Sequence, residues 1–134
     1  MATTQTPTTS TYSDLAALSH AYFKAVDAKD IDALVSLFSP DATLIVQSDN
    51  LTYRGVEIRS MFTAFMNNSK TLLHEIKSLV IDPVTRRIAT EQRYVGELKD
   101  GTRNDMYNCN FFDVDPDSKF TRVIIWMSGT NPLK

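Results

Sequence analysis

The chain has little that would support a disulfide framework, a membrane span or a nucleic-acid interface. Its single cysteine, Cys109, has no partner within the chain, which excludes an internal disulfide. No apolar run approaches the ~20 residues that a membrane helix needs. The formal charge is −2 and no basic cluster occurs, so the grouped lysines and arginines that bind phosphates are absent. We therefore expect a cytoplasmic protein without nucleic-acid or membrane partners.

Missing motifs also narrow the chemistry. The sequence contains no Gly-rich phosphate loop, no Cys-x-x-Cys pair and no nucleophile elbow. It has two histidines, and a pocket that contains only one of them is a poor basis for a metal site. We expect no metal and no cofactor, which leaves acid/base chemistry by side chains alone.

The length of 134 residues is typical of one domain with a single core. The Thr-rich residues 1–12 have little to bury and are predicted to be a disordered tail. Residues 13–134 are then the folded domain.

Helical patterns come first along the chain. Apolar spacing predicts a helix over 13–28, and Asp30 is a suitable N-cap for a second over 31–38. Gly55 precedes a third apolar stripe, which ends at Asn67 and Asn68. These segments predict three helices, all in the first half of the sequence.

The remaining segments read as strands. A hairpin is predicted from 42–47 and 51–54, followed by a meander whose strands cover 72–82, 86–98, 102–114 and 119–128. Early helices and late strands predict an α+β fold, in which the helices pack on one face of an antiparallel sheet.

Residues 22–46, YFKAVDAKDIDALVSLFSPDATLIV, contain two helical segments, two breaks and the start of a strand. This arrangement resembles the nuclear transport factor 2-like superfamily, in particular its SnoaL-like and scytalone dehydratase-like members. The resemblance implies a strongly curved sheet that forms a cone with an internal pocket. It also implies a cofactor-independent isomerase, cyclase or dehydratase for a small polyketide- or terpenoid-derived metabolite, of the fungal type. Non-catalytic ligand-binding or dimerisation modules of the same fold are the alternative.

His74 is the first candidate for catalysis. In LLHEIK the alternation places Glu75 and Lys77 on one face and His74 with Leu72 and Ile76 on the other. Because the charged face is expected in solvent, this second face should line the interior, and the resemblance implies that His74 is the catalytic histidine there. A buried histidine satisfied by a single carbonyl is the alternative.

Asp27 is the second candidate. A carboxylate in the last turn of a helix opposes the helix dipole, at a cost of about 0.3–1 kcal/mol, so its position calls for an explanation. The resemblance implies an active-site aspartate here, although Val26 replaces the tyrosine that precedes it in scytalone dehydratase. Asp27 in bulk solvent or paired with Lys24 is the alternative.

The strand over 86–98 leaves its inward face open, because both faces carry apolar and polar residues. The resemblance favours Glu91 and Arg93 on the inside, Glu91 as a third catalytic group and Arg93 as a substrate contact. The opposite register exposes both charges on the outer face.

Further substrate contacts follow from the resemblance. Tyr53 is expected at the cone mouth, and Asn108 inside the cone, or Tyr107 if the alignment shifts by one residue. Trp126 is expected to contact the substrate by packing and not by catalysis. Many SnoaL-like enzymes also carry an acid near the end of the last strand, where this chain has Ile125 and Ser128, a departure that favours the non-catalytic alternative.

The sequence also predicts a homodimer. Leu73, Leu79 and Ile81 alternate with His74 and are expected on the outer sheet face, where Tyr94 joins them if Glu91 points inward. An exposed apolar patch of this kind usually marks an interface.

Overall fold

Three helices and a six-stranded sheet form the part of the chain that the structure, a computed structural model, describes, residues 9–134. The helices are α1 (Thr9–Asp27), α2 (Ile31–Val35) and α3 (Val56–Asn68). The strands are β1 (Phe38–Val46), β2 (Leu51–Arg54), β3 (Ser69–Asp82), β4 (Arg87–Leu98), β5 (Arg103–Val114) and β6 (Phe120–Trp126), with a 3-10 turn over Gln47–Asp49. The α+β class and the three helices are confirmed.

The sheet has the order β2-β1-β6-β5-β4-β3. The hairpin of β1 and β2 and the meander from β3 to β6 are confirmed. The antiparallel prediction needs one correction, because β1 runs parallel to β6, with Leu44 opposite Val123. The edge strands β2 and β3 do not pair with each other, so the curled sheet stays open as a cone around the helices.

The first helix begins earlier than predicted. Residues 9–12 belong to α1, so the prediction that they are a disordered tail is wrong, and the rest of that tail lies outside the described residues. Once a helix is nucleated, each added residue gains a backbone hydrogen bond. A polar segment therefore joins the turn that the fully buried Leu15 anchors.

A Schellman turn separates α1 from α2. Lys29 has a positive φ of 56°, its N–H donates to Val26 O, and the Asp30 N–H donates to Ala25 O. The Asp30 side chain then accepts from Ala33 N and caps α2, as predicted. The geometry fixes Asp27 as the last helical residue of α1.

The second helix is shorter than predicted. It ends at Val35, and Phe38 instead begins β1. The cause is tertiary, because Phe120 N donates to Leu37 O and Phe38 is paired with Phe120 across the parallel strands.

The core lies between the helices and the concave sheet face. Tyr22 of α1 stands at its centre, with its ring centroid 5.2 Å from Phe112 and 6.2 Å from Phe62. Phe112 in turn contacts Phe120 at 4.9 Å. Burial of each aromatic side chain stabilises the folded state by about 1.5–3 kcal/mol, so this cluster holds α1 against β5 and β6.

A β-bulge in β3 changes which residues face inward. Ile76 is opposite Gln92 and Ser78 is opposite Glu91, which leaves Lys77 as an extra residue. The parity of the strand therefore changes there, and Leu79 and Ile81 pack against the core. Their predicted place on the outer face is wrong.

The register of β4 is also the opposite of the one favoured from the resemblance. Ile88, Thr90, Gln92 and Tyr94 are buried on the concave face, and Glu91 is exposed. The inward placement of Glu91 and Arg93, and the outer placement of Tyr94, are therefore wrong. Neutral polar groups can satisfy one another inside a cone, whereas a buried carboxylate needs a charged partner.

Candidate active site

A carboxylate and an imidazole meet inside the cone. Asp27 comes from the last turn of α1 and His74 from the inward face of β3 before the bulge. Asp27 Oδ1 lies 2.6 Å from His74 Nδ1, and Asp27 Oδ2 accepts from the His74 backbone N–H at 2.7 Å. Both carboxylate oxygens therefore hold one residue, which fixes the imidazole relative to its own strand.

Aromatic rings complete the setting of this histidine. The His74 ring lies 5.1 Å from the rings of both Phe23 and Tyr94. The His74 and Asp27 side chains are 11% and 18% exposed, so the dyad is largely shielded from water. A carboxylate at Nδ1 favours the tautomer with hydrogen on that nitrogen, which leaves the Nε2 lone pair free for chemistry.

His74 lines an internal cavity of about 30 Å³, room for about one water molecule. The cavity is bounded by α1, α3 and the concave sheet face, and most of its lining is apolar. The lining residues are Tyr22, Phe23, Val26, Phe62, Phe65, His74, Gln92, Tyr94, Asn108, Asn110, Ile125, Met127, Pro132 and Leu133.

Carboxamides from β4 and β5 form a polar wall of the cavity. Thr90 Oγ1 donates to Gln92 Oε1 at 2.7 Å, and Gln92 Nε2 donates to Asn110 Oδ1 at 2.9 Å. Burial raises the pKa of Tyr22 far above its ordinary value, and a hydrogen bond with Asn110 opposes the rise. The chain of hydrogen bonds is directional, so each amide is fixed in one orientation.

Asn108 is held differently from the other amides. Its Oδ1 accepts from the backbone N–H of Ser128 at 3.2 Å, so its amide NH₂ is left as the hydrogen-bond donor of this side chain. Because Asn108 lines the cavity, this NH₂ is a donor for an oxygen atom bound there.

Tyr94 contributes a ring to the cavity and a buried hydroxyl behind it. That hydroxyl has no hydrogen-bond partner among the described residues. Burial raises the pKa of Tyr94, the Asn104 side chain opposes the rise, and the charge of Asp27 adds to it. The hydroxyl lies beside Gly96, where an added Cβ would come within 2.5 Å of it, so the strand needs glycine at this position.

Five residues predicted for the site lie elsewhere. Glu91 is exposed on the outer face, and Arg93 pairs there with Asp105 at 2.7 Å. Tyr107 and Trp126 are 53% and 49% exposed. Tyr53 is half-buried against the core but is not among the described residues that line the cavity. The structure therefore brings His74, Asp27 and Asn108 together and excludes these five.

Sequence reasoning missed Gln92, Tyr94 and the contribution of Leu133. The first two alternate with Ile88 and Thr90, so choosing the other parity of β4 would have found them. Leu133 carried no signal, because it follows the last strand at a distance that no pattern specifies.

Ile125 lines the cavity, at one of the two positions where the resemblance leads us to look for an acid. No group of three or more His, Cys, Asp or Glu side chains within residues 9–134 is arranged to hold a metal ion. In the same range no helix is long and apolar enough to cross a membrane.

A family model matches most of the chain. The family model described as the SnoaL-like domain matches residues 20–123. No curated protein matches the sequence.

Solved structures share the fold. A proposed aromatic ring hydroxylase from Novosphingobium aromaticivorans has a TM-score of 0.83 at 26% identity, covering 97% of this chain and all of that one (100%). A proposed SnoaL-like polyketide cyclase from Shewanella denitrificans has a TM-score of 0.77 at 14% identity, covering 85% and 90%. An LEH-like epoxide hydrolase from M. tuberculosis has a TM-score of 0.75 at 15% identity, covering 87% of this chain and 84% of that one.

Proposed function

The chain belongs to the SnoaL-like domain family, and on this premise we propose that it is a cofactor-independent acid/base enzyme. Its reaction is an isomerisation, cyclisation or dehydration of a small, largely apolar metabolite derived from a polyketide or terpenoid. A cytoplasmic location stays a prediction.

The observation that carries this proposal is the His74–Asp27 dyad at a small, mostly apolar cavity. A histidine whose Nδ1 is held by a carboxylate is the arrangement of a general base, because the carboxylate stabilises the imidazolium that forms. The same pair would be an expensive way to fill a core, since it keeps charge in a largely dry site. The Asn108 NH₂ in the same cavity supplies a donor for a developing oxyanion.

The proposed reaction moves one proton. His74 Nε2 takes a proton from a carbon next to a carbonyl group, and the electrons of the broken C–H bond pass to the carbonyl oxygen. The Asn108 NH₂ stabilises the resulting enolate. The imidazolium then returns the proton to another carbon, which is an isomerisation, or to a leaving hydroxyl, which releases water. A general acid or base of this kind typically accelerates the reaction by about 10²–10⁴-fold.

The substrate class is supported by the lining. Apart from His74, the described lining residues are apolar, aromatic or neutral amides. A neutral ligand with one or two oxygen atoms suits that surface better than a charged one. The proposed polyketide cyclase from Shewanella denitrificans has a related fold, which adds support for the metabolite class.

A non-catalytic binding module is the second candidate. The observation that favours it is that Ile125, an apolar residue, lines the cavity at a position where the resemblance implies an acid. A binding module needs the cavity but has no use for a free imidazole nitrogen.

Hydrogen exchange distinguishes the two. Candidate ketones from the metabolite extract of the source cells are incubated with the protein in D₂O, and deuterium uptake at carbon is measured by mass spectrometry. We expect uptake with the wild type, none above background with His74→Gln, and wild-type uptake with Glu91→Gln, whose side chain is outside the cone. Equal uptake with the wild type and His74→Gln would reject the enzyme in favour of the binding module.

A further inference from the structure

Residues 127–134, called the closing segment here, cover the cavity after β6 ends at Trp126. Met127, Pro132 and Leu133 of this segment line the cavity. Leu133 is only 8% exposed and belongs to the core cluster. The side chain of Leu133 is therefore inserted into the cone although its backbone belongs to no strand or helix.

The cavity is too small for the ligand proposed above. Its volume is about 30 Å³, whereas sites for small organic molecules are typically about 300–1,000 Å³. Something must move before a ligand can enter. The other described lining residues lie on α1, α3 and the strands, and Met127, Pro132 and Leu133 alone lie outside regular structure.

The base of the closing segment is held to strand β5 and to the 3-10 turn over Gln47–Asp49. Met127 N donates to Ser48 Oγ at 3.3 Å, Ser128 N donates to Asn108 Oδ1, and Ser128 Oγ accepts from Tyr107 N at 3.1 Å. These three contacts keep residues 127 and 128 in place and orient Asn108.

Beyond Gly129 the attachment is weaker. Leu133 N donates to Asn131 Oδ1 within the segment itself, and Lys134 Nζ lies 3.6 Å from Asp49 Oδ2. Asn131 Nδ2 is buried without a hydrogen-bond partner in the described chain. A buried polar atom without a partner disfavours the closed arrangement, so burial of Leu133 and the Lys134–Asp49 ion pair are what hold it.

We propose that Leu133 determines the size of the ligand: the distal part of the closing segment, residues 130–134, swings away at Gly129, and the apolar end of the ligand takes the place of the Leu133 side chain. Asn108 keeps its orientation during this movement because Ser128 stays on the sheet. The inference rests on the proposed function only in placing the ligand in this cavity.

Indole is a suitable probe, because it is apolar, small and carries one donor. Leu133→Ala removes three carbon atoms from the cavity lining, and cavities opened in this way bind small aromatic molecules. We expect Leu133→Ala to bind indole about tenfold or more tightly than the wild type in an NMR titration. Leu73→Ala, the same change at an exposed position of the outer face, should bind indole as the wild type does.

A second measurement covers the case in which Leu133→Ala does not fold. Asp49→Asn weakens the ion pair with Lys134 and leaves the cavity lining unchanged. Hydrogen exchange followed by mass spectrometry should show faster exchange of residues 130–134 in Asp49→Asn, and a further increase at saturating indole. Protection of these residues by indole, or unchanged indole affinity in a folded Leu133→Ala, would overturn the proposal. Either result leaves the His74 deuterium experiment unaffected, so the two proposals fail separately.

Discussion

Asp27 and His74 lie 47 residues apart in sequence, and both oxygens of the Asp27 carboxylate bind His74, one at ring Nδ1 and one at the backbone N–H. This relationship explains an acid in the last turn of α1, where the helix dipole disfavours it by about 0.3–1 kcal/mol. Two hydrogen bonds to a charged group, worth about 1.5–3 kcal/mol each, exceed that cost. The dyad is therefore a tertiary contact that the helix end alone would not favour.

The dyad yields the first prediction. His74→Gln and Asp27→Asn should each lower turnover by about 10²-fold or more, because the first removes the base and the second removes the charge that stabilises its protonated form. Glu91→Gln should turn over like the wild type, since Glu91 is exposed on the outer face. The measurement is kcat/KM on the compound identified by deuterium uptake, with circular dichroism as the control for folding.

The double variant tests whether the two residues act together. Groups on one proton path lose their value together, so the combined loss should be smaller than the product of the single losses. Multiplicative losses would mean that Asp27 and His74 are independent substrate contacts.

Asn108 provides the second prediction. Asn108→Asp keeps an oxygen that accepts from Ser128 N but loses the NH₂ proposed to stabilise the oxyanion, so kcat should fall about 10²–10³-fold. Thr90→Val is the comparison, because it disrupts the amide chain at the end far from Asn108 and should affect stability more than kcat. Equal kcat values for Asn108→Asp and the wild type would remove Asn108 from the oxyanion role.

Tyr22 and Tyr94 provide the third prediction, on pH. Burial raises the pKa of both phenols in the folded state, so the unfolded chain loses these protons first, near the ordinary tyrosine pKa of about 10. Stability from these groups is fully present below that pH and is lost as the pH rises above it. Absorbance at 295 nm should show two of the five tyrosines ionising only with unfolding.

Tyr94→Phe is the matched test of that behaviour. It removes a buried hydroxyl that has no partner in the described structure, so the free energy of unfolding at pH 7 should stay equal or increase. The loss of stability between pH 10 and pH 11 should become smaller. A large destabilisation at pH 7 would mean that the hydroxyl has a partner in solution.

Assembly is the subject of the fourth prediction. Leu73, Val80, Tyr107 and Trp126 are exposed on the outer sheet face, where Val80, Ala89, Phe111 and Ile124 also stand opposite one another across four strands. We expect two chains to pair there. Light scattering at micromolar concentration should give about twice 15.1 kDa, and Val80→Glu should give the monomer mass. A monomeric wild type would contradict the interface.

Local patterns predicted much of this protein. The apolar stripe of α3, the cap at Asp30 and the turns between β3 and β6 all act through neighbours close in sequence. His74 was placed inward by alternation within six residues, and the bulge follows it. Asp27 was singled out because the helix dipole made its position unfavourable. The local structure agrees with these predictions because each depends on contacts within a turn or a strand, and the catalytic roles of His74 and Asp27 stay predictions.

The sequence by itself determined the three helices, the hairpin, the order of the meander, the inward face of His74 and the unusual position of Asp27. The candidacy of Asn108 depends on the family resemblance as well. Only the tertiary structure decided the parity of β4, the bulge at Lys77, the parallel contact of β1 with β6 and the burial of Leu133. The physical reason is the same in each case. A strand with mixed faces has nearly equal local energies in both registers, and the choice depends on burying Gln92 and Tyr94 against α1, α3 and β5, which are distant in sequence.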